Sequence, residues 1–154
     1  MTPTLYFLRS SENKIVENML QYAHPNLDDT TIYSKFYGLT SKDLGLYALV
    51  DNKITGAIWS RILKDETIPT LSLAILPEFR NQGIATSMMQ QFLLEAAVIF
   101  DELKVDSYNN EALINFLKNF GFTQIEDSSL LTKTLEKKEL IRPTDGYDAN
   151  KWMD

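Results

Sequence analysis

The residues of this 154-residue chain with the strongest claim on chemistry act mostly through their backbone. In Leu71-Ser72-Leu73-Ala74-Ile75-Leu76-Pro77-Glu78-Phe79-Arg80-Asn81-Gln82-Gly83-Ile84-Ala85-Thr86 an apolar run leads through a tight turn into a helical pattern. Pro77 has no N–H and stops a strand, while Gly83 and Ala85 leave little side chain where the backbone enters the helix. The first amides of a helix have no carbonyl to bond. Those of Gln82, Gly83, Ile84, Ala85 and Thr86 would point the positive end of the helix dipole at one spot, an arrangement suited to a phosphate or pyrophosphate, with Arg80 adding charge nearby. The plain alternative is a strand-to-helix loop that binds nothing.

Other reactive groups are few. With no cysteine in the chain, disulfides, thiolate metal sites and transfer through an enzyme thiol are excluded, and no metal site is expected. Asp65, Glu66 and Asp106 are carboxylates close enough to strand ends to reach a cleft, although each also reads as a solvated charge. His24, the sole histidine, stands next to Pro25 and reads as a turn residue.

The elements that must position these groups follow from periodicity. Leu5 to Leu8, Leu44 to Val50, Ile54 to Ile62, the run ending at Leu76, Leu103 to Ser107, Thr123 to Glu126 and Leu130 to Leu135 read as strands, the second and third joined by Asp51-Asn52-Lys53. A first helix starts at Ser10-Ser11-Glu12, and Ile32 to Tyr37 forms a short second one. The third runs from Ile84 to about Phe100 with Ile84, Met88, Phe92, Ala96 and Phe100 every four residues, and Met89 and Leu93 beside them. The fourth starts at Asn110 and stops at Gly121. The fold class predicted is α/β (α+β): a single domain over residues 1–136, with a mixed, mostly antiparallel sheet of about six to seven strands flanked by about four helices. Residues 137–154 form a polar tail expected to drape over the surface or over a second subunit, which allows a homodimer.

Composition narrows the partners. At 44% hydrophobic, 23% charged and 11% aromatic residues the chain is ordinary for a globular protein. A net charge of -6 disfavours nucleic acid and anionic lipid and suits a cationic acceptor such as an amine. Met1-Thr2-Pro3-Thr4 does not open a signal sequence and no apolar run is long enough to cross a bilayer, so the expectation is a cytoplasmic protein without a nucleic-acid or membrane partner.

Three motifs together resemble the GNAT superfamily of N-acetyltransferases. Leu71 to Thr86 is similar to its acetyl-coenzyme A loop, Gln/Arg-x-x-Gly-x-Gly/Ala. Asn110-Glu111-Ala112-Leu113-Ile114-Asn115-Phe116-Leu117-Lys118-Asn119-Phe120-Gly121-Phe122 is similar to Asn-x-x-Ala-x-x-x-Tyr-x-x-x-Gly-Phe, and Gly56-Ala57-Ile58-Trp59 to a common third-strand pattern. The resemblance spans most of Leu44 to Leu135 and implies acetyl-coenzyme A as cofactor. The main chain of Ala74, Ile75 and Leu76 would pair with the pantetheine arm, and Asn81, Gln82, Gly83, Ile84, Ala85 and Thr86 would wrap the pyrophosphate beside Arg80. Asn110 would bond the arm from the other side, or serve only as a helix N-cap, or do both.

The resemblance also implies direct attack of an acceptor nitrogen on the thioester, with the N–H of Ile75 or Leu76 holding the oxyanion. Tyr33, Phe36, Tyr37, Trp59 and Arg61 would contact the acceptor; Arg61 could hold an acceptor carboxylate, or be a surface or internally paired arginine. Two departures stand out. The tyrosine that protonates the departing thiolate falls on Leu117, at the cofactor's thiol end, which leaves Tyr108 as a substitute acid or a packed aromatic. The glutamate that serves as base falls near Thr70 or Ser72, so the base would come from Glu66 or another carboxylate, or from a water relay. The leading expectation is an acetyl-coenzyme A-dependent N-acetyltransferase acting on a primary amine of a small molecule or peptide. A non-catalytic acyl-coenzyme A-binding regulator is the rival, and a scaffold without ligand the third possibility.

Overall fold

The computed structural model describes residues 3–8, 43–62 and 66–136. Along the chain these form β1 (Thr4–Phe7), β2 (Leu44–Val50), β3 (Lys53–Arg61), β4 (Thr70–Ile75), a 3-10 turn (Pro77–Phe79), α1 (Ile84–Ile99), β5 (Glu102–Asp106), α2 (Glu111–Asn119), β6 (Thr123–Gln124) and β7 (Leu130–Thr134). The strands make one seven-stranded sheet in the order β1-β2-β3-β4-β5-β7-β6, antiparallel throughout except between β4 and β5. The predicted mixed, mostly antiparallel sheet is therefore present. Two helices lie among the described residues; the first two expected helices and the tail of residues 137–154 fall outside them.

Local chemistry explains the left half of the sheet. Val50 pairs with Lys53, so the β2–β3 connection is the two-residue turn Asp51-Asn52, shorter than the three-residue connection read from the sequence. Both turn residues have positive φ, 51° and 65°. That is the sign pattern of a type I′ turn, whose twist matches the strands it joins and which asparagine and aspartate tolerate. The 3-10 turn at Pro77–Phe79 was not anticipated; it opens on a proline, whose fixed φ suits a first helical position.

α1 packs its apolar stripe on one face of the sheet. Met88, Met89, Phe92 and Ala96 are fully buried against Leu46, Ile58 and Leu71, as the four-residue recurrence predicts. Contact is tight at Gly56 in β3, where an added Cβ would lie 3.0 Å from the Ala74 carbonyl oxygen and 3.2 Å from Met88 Cε. α2 closes the same core through Leu117, together with Leu103, Val105, Phe122 and Leu131. A smaller cluster of Leu8, Ala57, Trp59, Ala74 and Leu76 occupies the opposite face.

The feature that positions a site is the junction of β4 and β5. Their only registered pair is Thr70 with Lys104, and the Lys104 N–H donates to the Pro69 carbonyl at 3.1 Å. Beyond that point the two strands part. The carboxyl-terminal end of β4 therefore has a sheet neighbour on one side only, β3, and the end of an open α/β sheet is where such crevices collect ligands.

Candidate functional site

A cleft of about 670 Å³ lies above the split, walled by Leu73, Ile75, Phe79, Leu113 and Phe116 and floored by the turn into α1. Strand alternation decides which main-chain groups of β4 look into it. The Leu76 N–H donates to the Thr55 carbonyl at 2.9 Å, so Leu76, and with it Ala74 and Ser72, spends its main-chain groups on β3. Leu73 and Ile75 face the other way. The Arg80 Nε donates to the Ile75 carbonyl at 3.2 Å, as expected of a carbonyl aimed away from β3. Of the two oxyanion donors expected from the sequence, Leu76 is thus committed to the sheet, and Ile75 alone keeps an N–H on the cleft side. Of Ala74, Ile75 and Leu76, only Ile75 thus keeps its main-chain groups off β3, as does Leu73.

The turn into α1 presents the second feature. Asn81 has a φ of 63° and Gly83 one of 83°, and together they swing the chain so that α1 begins at the cleft floor. Gly83 is the N-cap, without a side-chain cap, and no acidic residue sits in the first turn. The amides of Gly83, Ile84, Ala85 and Thr86 make no hydrogen bond among the described residues. A Cβ at Gly83 would meet nothing within 4 Å, so the space over these amides is open. Uncapped amides, a helix dipole and the exposed Arg80 together favour an anion here. Gln82 joins through its main chain only, since its side chain donates to the Glu78 carbonyl at 3.1 Å. Lys53 Nζ lies over the Phe79 ring, 5.3 Å from its centroid.

Across the split, Asn110 caps α2: its Oδ1 accepts from the Leu113 N–H at 3.1 Å. The side-chain NH2 makes no hydrogen bond among the described residues and the residue lines the cleft, so the cap leaves the amide nitrogen open to the cleft. Leu117 needs a correction. It is 1% exposed, packed in the α1–α2 core, and does not line the cleft. The wall is built instead by Leu113 and Phe116, which with Asn110 recur every three residues along one side of α2. That spacing is legible in the sequence.

The remaining candidates lie around the split. Glu66 is ion-paired with Lys104 at its closed end, which removes it as a free base. Tyr108 is exposed on the β5–α2 loop with a φ of 52° and does not line the cleft. Trp59 and Arg61 are buried on the sheet face away from α1, opposite Ser72 and Thr70 in the β3–β4 register. Among the described residues, Trp59 Nε1 and Thr70 Oγ1 are buried without a hydrogen-bond partner, a costly state for polar atoms. Tyr33, Phe36, Tyr37, His24 and Asp65 lie outside the described residues. Among the described residues no group of three or more metal-ligating side chains occurs, and no helix is long and apolar enough to cross a membrane.

Comparison with known proteins agrees with this geometry. The family model described as "Acetyltransferase (GNAT) domain" matches residues 42–124. Among solved structures, the chain is similar to a GNAT superfamily phosphinothricin acetyltransferase from Sinorhizobium meliloti in complex with AcCoA, with a TM-score of 0.70 at 14% identity over 97% of both chains. It is also similar to the ribosomal-protein-S18-alanine N-acetyltransferase from Escherichia coli, with a TM-score of 0.68 at 15% identity over 92% of this chain and 98% of that one. A GNAT-family acetyltransferase from Staphylococcus aureus Mu50 gives 0.68 at 16% identity over 87% and 99%. No curated protein sequence matches the chain. At these identities the structural likeness speaks for the fold.

Proposed function

The chain belongs to the GNAT acetyltransferase family, and from that premise we propose that it is an acetyl-coenzyme A-dependent N-acetyltransferase whose acceptor is a primary amine. One observation carries the reading. The open edge of β4 and the uncapped start of α1 border a single cleft, so one ligand can engage both. Acetyl-coenzyme A has the matching parts, an amide-rich arm and a pyrophosphate, and when bound it supplies an activated acetyl thioester.

The residues divide the work. Leu73 offers its main-chain N–H and C=O to the arm as a neighbouring strand would, while Asn110 offers its NH2 from the opposite wall. Asn81 to Thr86, with Arg80, hold the pyrophosphate. Leu113, Phe116 and Phe79 exclude water from the arm. The Ile75 N–H, left over from the sheet, is the donor for charge developing on the acetyl oxygen. The acceptor comes from the sheet face that carries Trp59, Arg61 and Thr70, away from α1. Without a tyrosine at position 117, the thiolate leaves unassisted or with a proton from water, tolerable for a thiol of pKa ~8.5.

Asn110→Asp separates the two duties of Asn110. Aspartate caps a helix as well as asparagine does, so melting stays unchanged. The lost NH2 and added negative charge weaken acetyl-coenzyme A binding by roughly tenfold, the worth of one hydrogen bond. Equal affinity in titration calorimetry would remove Asn110 from the arm's contacts.

The proposal is tested by calorimetry with acetyl-coenzyme A and by thiol release over a panel of primary amines. Binding and turnover with at least one amine are expected. Binding without turnover would favour the rival reading, an acyl-coenzyme A-binding regulator, which the ion-paired Glu66 and the core position of Leu117 would then suit.

A further inference from the structure

The acceptor side of the split holds a carboxylate that neither the sheet nor the core uses. On β5, Leu103 and Val105 enter the α1–α2 core, so Glu102, Lys104 and Asp106 stand on the opposite face. β4 alternates in the same way. Leu71, Leu73 and Ile75 pack towards the helices, and Thr70, Ser72 and Ala74 take the acceptor face. The Thr70–Lys104 pair sets the level of the two strands where they part. One two-residue step further, roughly 6.6 Å along each strand, Ser72 on one bank of the open split stands level with Asp106 on the other.

Two carboxylates lie close to this spot, and their surroundings differ. Glu66 is neutralised by Lys104. Asp106 Oδ1 accepts the Tyr108 N–H at 2.9 Å, and among the described residues no other group bonds that carboxylate, which leaves Oδ2 available. The turn behind it holds Tyr108 and Asn109 at φ of 52° and 60°, and is tied down by the Ser107 N–H and Oγ, both bonded to the Ser129 carbonyl at 2.9 and 2.7 Å. A half-buried carboxylate is thus held in a fixed orientation at the rim of the split, with one oxygen unspent.

Resting on the acetyl-transfer reading, we propose that Asp106 docks the acceptor's ammonium group and makes this chain selective for cationic primary amines over neutral nucleophiles. The cation is drawn to Oδ2 at the height of Ser72, next to the part of β4 that holds the thioester end of the arm; there it passes one proton to water, and the neutral nitrogen attacks the thioester carbonyl as the C–S bond breaks and the thiolate takes up a proton from water. Lys104, two residues back, ties up Glu66 and so leaves Asp106, among the described residues, without an ion pair at the opening.

The test uses Asp106→Asn, which keeps an oxygen for the Tyr108 N–H, and Glu102→Gln as a charge-matched control on the same strand face. Thiol release is measured with tyramine, an N-terminal alanyl tripeptide and the neutral nucleophile hydroxylamine. Asp106→Asn is expected to lower kcat/KM for the charged amines roughly 10- to 100-fold, the worth of a hydrogen bond to a charged group, chiefly through KM. Turnover of hydroxylamine, acetyl-coenzyme A affinity and melting stay as in the wild type, and Glu102→Gln behaves like the wild type throughout. Amine turnover by Asp106→Asn within threefold of the wild type overturns the assignment alone, as does an equal loss with hydroxylamine. A wild-type chain that binds acetyl-coenzyme A and acetylates none of these amines overturns it together with the transfer reading.

Discussion

Gly83→Glu is expected to lose acetyl-coenzyme A affinity by roughly 100-fold or more, the largest effect of any single change in the cleft. Two contributions separate cleanly at this position. The residue has a φ of 83°, so any side chain adds about 1–2 kcal/mol of backbone strain. A Cβ there meets no neighbour, so bulk by itself adds no clash. Gly83→Ala therefore reports the strain, as a lower melting temperature with a modest loss of affinity. Glutamate adds a negative charge where the free amides of α1 point. Two like charges about 4 Å apart repel by ~4 kcal/mol at an effective dielectric of 20, a figure that screening over an exposed loop reduces. Calorimetric affinities of the two variants within threefold of each other would overturn the pyrophosphate assignment.

Ile75→Pro is expected to cut kcat by roughly 10²–10³ while the protein stays folded. The Ile75 N–H faces the split rather than β3, and proline is tolerated where a strand has no neighbour to bond. The change deletes one donor aimed at the acetyl oxygen and leaves the β3–β4 ladder whole. Leu76→Pro makes the contrast, because it removes the bond to the Thr55 carbonyl and lowers the melting temperature. Turnover by Ile75→Pro at the wild-type rate would show that the oxyanion is held elsewhere.

The two neighbouring amides also mark where the sequence stopped being legible. The strand, turn and helix from Leu71 to Phe100 could be read because Pro77 and Gly83 punctuate the chain and because Ile84, Met88, Phe92 and Ala96 keep a helical period. Whether Ile75 or Leu76 looks into the cleft depends on parity against β3, a pairing set some twenty residues away at Thr55 and Gly56. A local pattern carries no such information. The same limit applies to Glu66, whose partner Lys104 is 38 residues distant in sequence. Leu117 failed for another reason. The likeness to a family motif placed it at the thiol end of the cofactor, while packing against Phe122 and Leu131 drew it into the core and left Phe116 for the cleft. Lys53 was assigned to the turn because it is polar, yet the positive φ of Asp51 and Asn52 completes the reversal in two residues and makes lysine the first rung of β3.

The parting of β4 from β5 gives a single strand two populations of amide. Ser72, Ala74 and Leu76 are locked into the ladder with β3, and their protons exchange with deuterium only when that ladder opens. Those of Leu73 and Ile75 face the split and are shielded by whatever occupies it. Alternate residues of β4 are thus separate clocks, one set timing the opening of the sheet and the other the residence of any ligand in the split.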